Sequence, residues 1–579
     1  MNILGISCYY HDSAVALIKD GILVAAAQEE RFTRKKHDQG FPVNALRYCL
    51  QAGNLQAHDL EYIGFYDKPF AKFERILTTY VETFPRSLPS FLKAMPVWLK
   101  EKLWIPQKIR EELGDTAKLL FVEHHLSHAA SAFFVSPFSE AAILTADGVG
   151  EWETTTQGIG IDKMLMLTQS IRFPHSLGLL YSAFTYYLGF RVNSAEYKVM
   201  GLAPYGRPIF ADLILRELVS LKDDGSFRLN MKYFAYDYGL TMTNRHFHKL
   251  FGAPPRMPES ALTQFHKDVA ASIQVVTDEM MLRMTTALHK KTGSKNLCLA
   301  GGVALNCVSN SKVLASSGFQ NLFIQPAAGD AGGAVGAAFY IHNMLLQNER
   351  TFTWKHNFLG PEYSDNAIEQ VLKQLNLNVE RLGTEALLQR TARLIADQQV
   401  VGWFQGRMEF GPRSLGARSI LADARNPENY SRVNLKIKFR ESFRPFAPTV
   451  LLERTREYFE FDQPSPYMLF VAQVRTDRRT IPAVTHVDGS ARLQTIARED
   501  HPLFYDLIAE FEKLTGCPVV INTSFNVRGE PIVCSPLDAI KCFFRTEMDF
   551  LILGSFILDK RKIQESGYTM QISDTFTLD

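Results

Sequence analysis

The chain opens on a pattern that few folds accommodate. Residues 1–7 are an apolar run of strand length, and 14–19 and 22–28 follow as two more, joined by Asp20-Gly21. Aspartate–glycine between alternating apolar runs is a strong hairpin signal. A strand, a polar turn and a hairpin leave the turn's backbone N–H groups at one end of a sheet, where they can face an anion. The unit then recurs. Residues 141–146 form an apolar run ending at Asp147-Gly148, and 158–161 and 164–167 alternate around Asp162-Lys163. Beyond it the spacing predicts a helix over 265–290, a strand over 296–300, and a turn at Gly301-Gly302. A helix over about 305–316, a strand over 322–325 and an alanine- and glycine-rich helix over 332–346 complete the region. This describes an α/β domain of two related halves with a cleft between them.

At 579 residues the chain exceeds a single core. The polar stretch 347–357 marks a boundary, dividing the chain into domains 1–352 and 353–579. In the second, 400–405, 468–474 and 519–522 read as strands, and 387–396 and 504–514 as helices; the tail after Gln564 is polar and expected to be poorly ordered. The opening turn resembles that of sugar kinases, actin and Hsp70-type ATPases. A net charge of +2 argues against a protein built to coat nucleic acid. No uninterrupted apolar segment spans a bilayer, since 91–105 is broken by Lys93, Pro96 and Lys100. Residues 1–7 lack the basic lead of a signal peptide, and seven cysteines without a C-x-x-C pair suit reduced thiols. A cytoplasmic location is expected.

His124 and His128 are four apart in a helical stretch, so both project from one face. Imidazoles so placed suit a divalent transition metal when carboxylates complete the set. Asp147 at a strand end and Asp330 in the turn Gly329-Asp330-Ala331-Gly332-Gly333 border the same inferred cleft. His125 points elsewhere and reads as a structural residue. His11, in the first turn, is a candidate general base because its imidazole is neutral near physiological pH. Gly301, Gly302 and Asn306 resemble an adenosine-side turn, where glycine permits close approach and a helix N-terminus favours anions. The run Arg31, Arg34, Lys35, Lys36 and His37 reads as a solvated loop, with Lys36 set apart as a site residue.

The second half carries a different device. Between Arg407 and Arg444 lie nine basic residues against four acids, at neither helical nor alternating spacing, among Gly411, Pro412, Gly416, Pro445 and Pro448. Guanidinium groups held in rigid turns bind phosphate oxygens two at a time, and a polyphosphate needs several such partners. The competing reading is an interdomain salt-bridge network. Arg492 in Gly489-Ser490-Ala491-Arg492 adds a donor, and Asn522 and Ser524 alternate around Thr523, so one face of a strand offers amide and hydroxyl together.

These stretches together resemble the NodU/CmcH family of O-carbamoyltransferases. The likeness is carried by 10–14, 28–32, 124–130, 196–206, 300–306, 407–418 and 522–526, in order along nearly the whole chain. The resemblance implies an N-terminal ASKHA domain, two-lobed and similar to TsaD, and a C-terminal α/β domain similar to YrdC, a pairing also found in HypF. It implies that the second domain forms carbamoyl adenylate from carbamoyl phosphate and ATP, with Mg2+ accompanying the nucleotide. The first domain then passes the carbamoyl group to a hydroxyl of a small-molecule acceptor. Carried over by position, His124, His128, Asp147 and Asp330 hold Fe2+ or another divalent transition metal, and His11 is the base. Arg413, Lys438, Arg444, Arg492, Asn522 and Ser524 line the adenylation site, with Lys36, or its neighbour Lys35, reaching across from the first domain. No nucleic acid and no membrane partner is expected, and a homodimer is compatible with this reading.

Three rivals remain at this point. A plain ASKHA ATPase or kinase with an accessory phosphate-binding domain leaves the arginine loop unexplained. A fused tRNA threonylcarbamoyl transferase wants a broad basic stripe that is missing. A metallopeptidase wants the glutamate of His-Glu-x-x-His, which is absent here. The acceptor is unspecified; the aromatic stretches 70–104 and 227–256 are the expected places for its contacts.

Overall fold

The computed structural model of the chain describes residues 1–572 and Phe576; the last part of the polar tail, 573–575 and 577–579, lies outside the described residues. The chain divides into two compact units, one of Met1–Glu29 with His37–Trp354, the other of Glu30–Lys36 with the chain from Lys355 onward. Lys36, expected to belong to the first domain, therefore groups with the second unit.

In the first unit, β1 (Asn2–Ser7), β2 (Ala14–Lys19) and β3 (Ile22–Gln28) form an antiparallel meander. The short strands β4 (Tyr62–Phe65) and β5 (Lys118–Phe121) extend it in parallel on the other side of β1, giving the order β3-β2-β1-β4-β5. A second sheet repeats the plan. Its meander is β6 (Glu140–Ala146), β7 (Glu153–Ile161) and β8 (Met164–Arg172). After a two-stranded ribbon, β9 (Val219–Leu221) with β10 (Phe227–Leu229), the strands β11 (Asn296–Ala300) and β12 (Asn321–Ile324) join β6 in parallel. The order β12-β11-β6-β7-β8 matches the first sheet strand for strand. This is the duplicated ASKHA topology. Strands β1 and β6 are buried on both faces, which is why they read as continuous apolar runs instead of alternating ones.

Two helices bring the halves together. In His124–Phe133 every residue but Leu126 is buried, and in Asp330–Phe339 all ten are. Backbones pack this closely only where side chains are small: a Cβ at Gly336 would lie 1.8 Å from the Ser127 carbonyl oxygen. Asp330 opens its helix, where a carboxylate is favoured by the unpaired N–H groups of the first turn. The expected helix over 332–346 thus begins two residues earlier, and its end, Tyr340–Leu345, widens into a π-helical turn.

The second unit is built on nine strands: β13 (Glu380–Arg381), β14 (Val401–Phe404), β15 (Arg418–Asp423), β16 (Ala447–Leu451), β17 (Phe470–Gln473), β18 (Ser490–Ile496), β19 (Val519–Ser524), β20 (Phe550–Leu553) and β21 (Phe556–Asp559). Their order is β13-β21-β20-β14-β15-β19-β16-β18-β17, with parallel and antiparallel pairs mixed. Helices Thr384–Ala396 and Pro502–Thr515 pack on one another above a core that includes fully buried Trp403.

The segment Glu30–Lys36 is sewn into this unit. Arg31 is buried and donates to the Gly411 carbonyl at 2.7 Å. Arg34 donates to the carbonyls of Ile532 and Pro531 at 2.7 and 2.8 Å and pairs with Glu530 at 3.1 Å. Most of the run expected to be a solvated loop is therefore structural: Lys35 is exposed, whereas Lys36 is half-buried. Among the described residues no helix is long and apolar enough to cross a membrane.

Candidate functional site

Four side chains converge in the first unit. The His124 and His128 Nε2 atoms lie 3.1 Å apart. The Asp147 Oδ2 atom lies 3.1 Å from the first of these and 3.8 Å from the second; the Asp330 Oδ1 atom lies 3.7 and 3.4 Å away, respectively. All four residues are buried, and one ligand atom from each lies within 4.8 Å of the others. Helical periodicity sets the histidine pair, the end of β6 presents Asp147, and the N-terminus of Asp330–Phe339 presents Asp330.

The set fits a divalent cation on its own chemistry. Both Asp330 oxygens and both imidazole Nδ1 atoms are buried without hydrogen-bond partners. Two carboxylates beside two neutral imidazoles carry charge −2 in a buried place, which is costly unless a cation balances it. Imidazole ligands favour a transition metal over magnesium or calcium. Without one the balance is met by protons: burial disfavours a charged His128, yet Asp147 and Asp330 push it up to about 9. Asp147 is likewise held well below the usual carboxylate range, against its burial, by the two imidazoles.

The surroundings explain how the ligands are held. The Gly302 N–H donates to Asp147 Oδ1 at 2.8 Å, leaving Oδ2 to the histidines. Gly301, at φ +91°, makes this approach, since a Cβ there would sit 2.2 Å from the Ala146 carbonyl oxygen. Asn306 caps the helix Cys307–Ser316 by accepting from Ser309 N at 3.2 Å. The turn expected to face a nucleotide thus also positions Asp147. Glu151, which the sequence reading missed, accepts from His124 N at 3.1 Å and Lys68 N at 2.8 Å. Its only sequence signal was the glycine-rich turn Gly148-Val149-Gly150. His125 is spent on Thr145 Oγ1 at 2.6 Å and the Glu153 carbonyl at 2.9 Å, and burial pushes it down to about 3.

His11 stands at the edge of the cluster, its Nε2 3.9 Å from Asp330 Oδ2. Its Nδ1 meets Asp12 Oδ2 at 3.0 Å; Asp12 Oδ1 meets His37 Nδ1 at 2.7 Å, and His37 Nε2 meets Ser194 Oγ at 2.9 Å. This chain fixes the ring, and Asp12 holds it from a left-handed backbone at φ +53°. Burial opposes a charge on His11, but Asp330 and Asp12 outweigh it and push the group up to about 10. The imidazole expected to be neutral near physiological pH is therefore charged there, and only positive charge beside Asp330 would weaken that field.

The second unit sorts the expected phosphate ligands differently. Arg418 is fully buried, donates to the carbonyls of Gln405, Ala417, Pro361 and Gly406, and stacks 3.6 Å over Phe404. Arg407 donates to the Leu359 carbonyl at 2.7 Å, Arg425 grips Asp423, and Arg432 grips Asp549. Four of the nine basic residues thus hold the fold. Glu409 closes the loop by accepting from the backbone N–H of Leu415 and Ala417, both at 2.7 Å. His501 Nε2 lies 3.2 Å from the Gly416 carbonyl.

Three of the other expected residues share one face of the sheet. Asn522 Nδ2 donates to Gln494 Oε1 at 2.8 Å, and by strand alternation Arg492 and Ser524 share that face. The loop carrying Arg413 lies over it, with Gln494 donating to the Leu415 carbonyl and Ser414 meeting Ser419. Lys438 is buried and donates to the Ser524 and Asn526 carbonyls at 2.7 and 2.8 Å. Arg444 lies 3.6 Å from Glu441.

Fold and site define an ASKHA-type α/β enzyme with a buried histidine–carboxylate cluster. The chain belongs to the carbamoyltransferase family: residues 2–339 match the model described as carbamoyltransferase N-terminus, and 392–560 that of carbamoyltransferase C-terminus. It is 54% identical over 613 aligned positions to sll1178 of Synechocystis, covering 100% of each chain. It is 39% identical to the nodulation protein NolNO of Sinorhizobium fredii, over 96% of this chain and 79% of that one. The protein is a carbamoyl-transferring enzyme.

Proposed function

We propose that the protein is an O-carbamoyltransferase working in two half-reactions. In the second unit, water hydrolyses carbamoyl phosphate to carbamate and inorganic phosphate, and a carbamate oxygen then attacks the α-phosphorus of ATP. Pyrophosphate leaves and carbamoyl adenylate forms. Arg413, Arg444 and Arg492 supply positive charge around the departing pyrophosphate, where pre-placed donors contribute several kcal/mol, while Lys438, which burial pushes well down, holds the Ser524 and Asn526 carbonyls beside them. Asn522 and Ser524 present an amide and a hydroxyl to the same ligand, Lys36 adds a further charge, and Mg2+ accompanies the nucleotide.

In the first unit an acceptor hydroxyl attacks the carbamoyl carbon, AMP leaves, and the hydroxyl proton passes to His11 Nε2. Asp12 holds the His11 ring through that transfer. His124, His128, Asp147 and Asp330 would hold Fe2+ or another divalent transition metal, which would supply Lewis acidity against charge building on the departing phosphate. Gly301, Gly302 and Asn306 face the adenosine. The observation that carries this reading is the buried four-ligand cluster with His11 at its edge, in a chain of this family. The acceptor is a small molecule with a free hydroxyl, such as a sugar, glycan or natural product.

The test is carbamoyl-phosphate-dependent exchange of labelled pyrophosphate into ATP. Exchange by the pure protein is expected. Its absence together with transfer of the γ-phosphate to a hydroxyl would favour the kinase reading.

A further inference from the structure

One charge near this cluster is unused by the proposed mechanism. Arg75 lies on the helix Pro69–Glu82, is 7% exposed, and has its guanidinium 4.9 Å from the Phe173 ring centroid. Its Nε is buried without a hydrogen-bond partner, and among the described residues no carboxylate lies within ion-pair distance of it. Lys72, one turn earlier on the same helix face, is different: it pairs with Asp67 at 2.8 Å and lies 5.3 Å from the Tyr10 ring centroid. Glu151, an acid whose field Arg75 feels, is already held by the N–H groups of His124 and Lys68.

A buried charge with no partner is unfavourable unless a ligand supplies one. Burial pushes Arg75 down to about 10, which still leaves it charged at neutral pH. The group also stands near the cluster, where the fields of Tyr10 and Glu151 reach it. Tyr10 adjoins His11, with ring centroids 4.7 Å apart, and its hydroxyl faces Gly148 beside Asp147. The residues expected to face adenosine follow β11 of the second sheet, whereas Arg75 follows β4 of the first. A planar guanidinium beside an aromatic wall suits an anionic oxygen group gripped at two points.

We infer that Arg75, walled by Phe173, anchors an anionic oxygen group, a carboxylate or phosphate, on the acceptor, so that the favoured acceptor is an acidic hydroxyl compound. The inference rests on the proposed two-site reaction only for the word acceptor; the anion subsite stands apart from it.

Selenate soaked into crystals of the full chain is the probe. An anomalous peak at the Arg75 guanidinium in the wild type, lost in Arg75→Met, is expected; no peak in the wild type overturns the inference. A second soak adds AMP. Selenate retained beside bound AMP assigns the subsite to the acceptor, and displacement by the nucleotide phosphate assigns it to the donor and overturns the acceptor class. Thermal unfolding separates ligand binding from scaffolding: Arg75→Met should keep or raise Tm, and a fall of several degrees would make Arg75 structural. AMP failing to bind anywhere in the first unit would count against the two-site reaction while leaving the selenate result to decide the subsite.

Discussion

The two candidate sites are built in opposite ways. In the first unit the ligands are buried and short of partners: Asp330 has neither oxygen hydrogen-bonded, and two imidazole nitrogens face each other at 3.1 Å. In the second, most of the charge is already satisfied, with Arg407, Arg418, Arg425 and Arg432 tied to carbonyls or carboxylates of their own unit. The density of basic residues overstates the second site; each site is marked instead by buried atoms without a hydrogen-bond partner, the Asp330 oxygens in the first and Asn522 Oδ1 in the second. A buried polar atom without a partner is the better guide to a ligand than a count of charges, because the fold tolerates it only at a cost.

The comparison breaks most visibly if the first site proves dispensable. His128→Ala should lower carbamoyl transfer by about a thousandfold, the equivalent of about 4 kcal/mol of lost charge stabilisation. Bound transition metal, measured by elemental analysis, should fall with it. Arg413→Ala should instead lower pyrophosphate exchange by about a hundredfold, as expected for one pre-placed donor, with metal content unchanged.

Much of this contrast was legible in the sequence, unevenly. Strands β2 and β3 stand at the expected bounds because Asp20-Gly21 and apolar runs define a hairpin locally. Strands β4 and β5 were not anticipated: each is four residues long and set among helices, so neither run nor period marks it. The histidine pair and the two turn acids were readable from spacing, and the structure brings them together. The relay from Asp12 to His37 and Ser194 was not, because its partners are far apart in the chain. Arg34 failed as a solvated residue for the same reason; its partners Glu530, Pro531 and Ile532 lie about 500 residues on.

Smaller effects sharpen the second half of the comparison. Arg34→Ala removes charge-assisted bonds to two carbonyls and Glu530, and should destabilise the second unit by about 2–3 kcal/mol in urea unfolding. His501 bears on the arginine loop through Gly416, and burial pushes it down to about 4. Its folded value lies below the unfolded one, so between about pH 6.5 and 4 the unfolded chain binds the extra proton. Stability should therefore fall as pH drops through that window, by up to about 1 kcal/mol per unit, and level off below it. His501→Phe should flatten the slope.

The division of labour is tested most directly by supplying each half-reaction to enzymes that lack the other. In rapid-quench experiments with carbamoyl phosphate and ATP, His128→Ala should accumulate carbamoyl adenylate, and Arg413→Ala should form it about a hundredfold more slowly yet carbamoylate an acceptor when given the adenylate made separately. Two variants equally unable to make the adenylate, or an Arg413→Ala enzyme that cannot use it, would contradict the account.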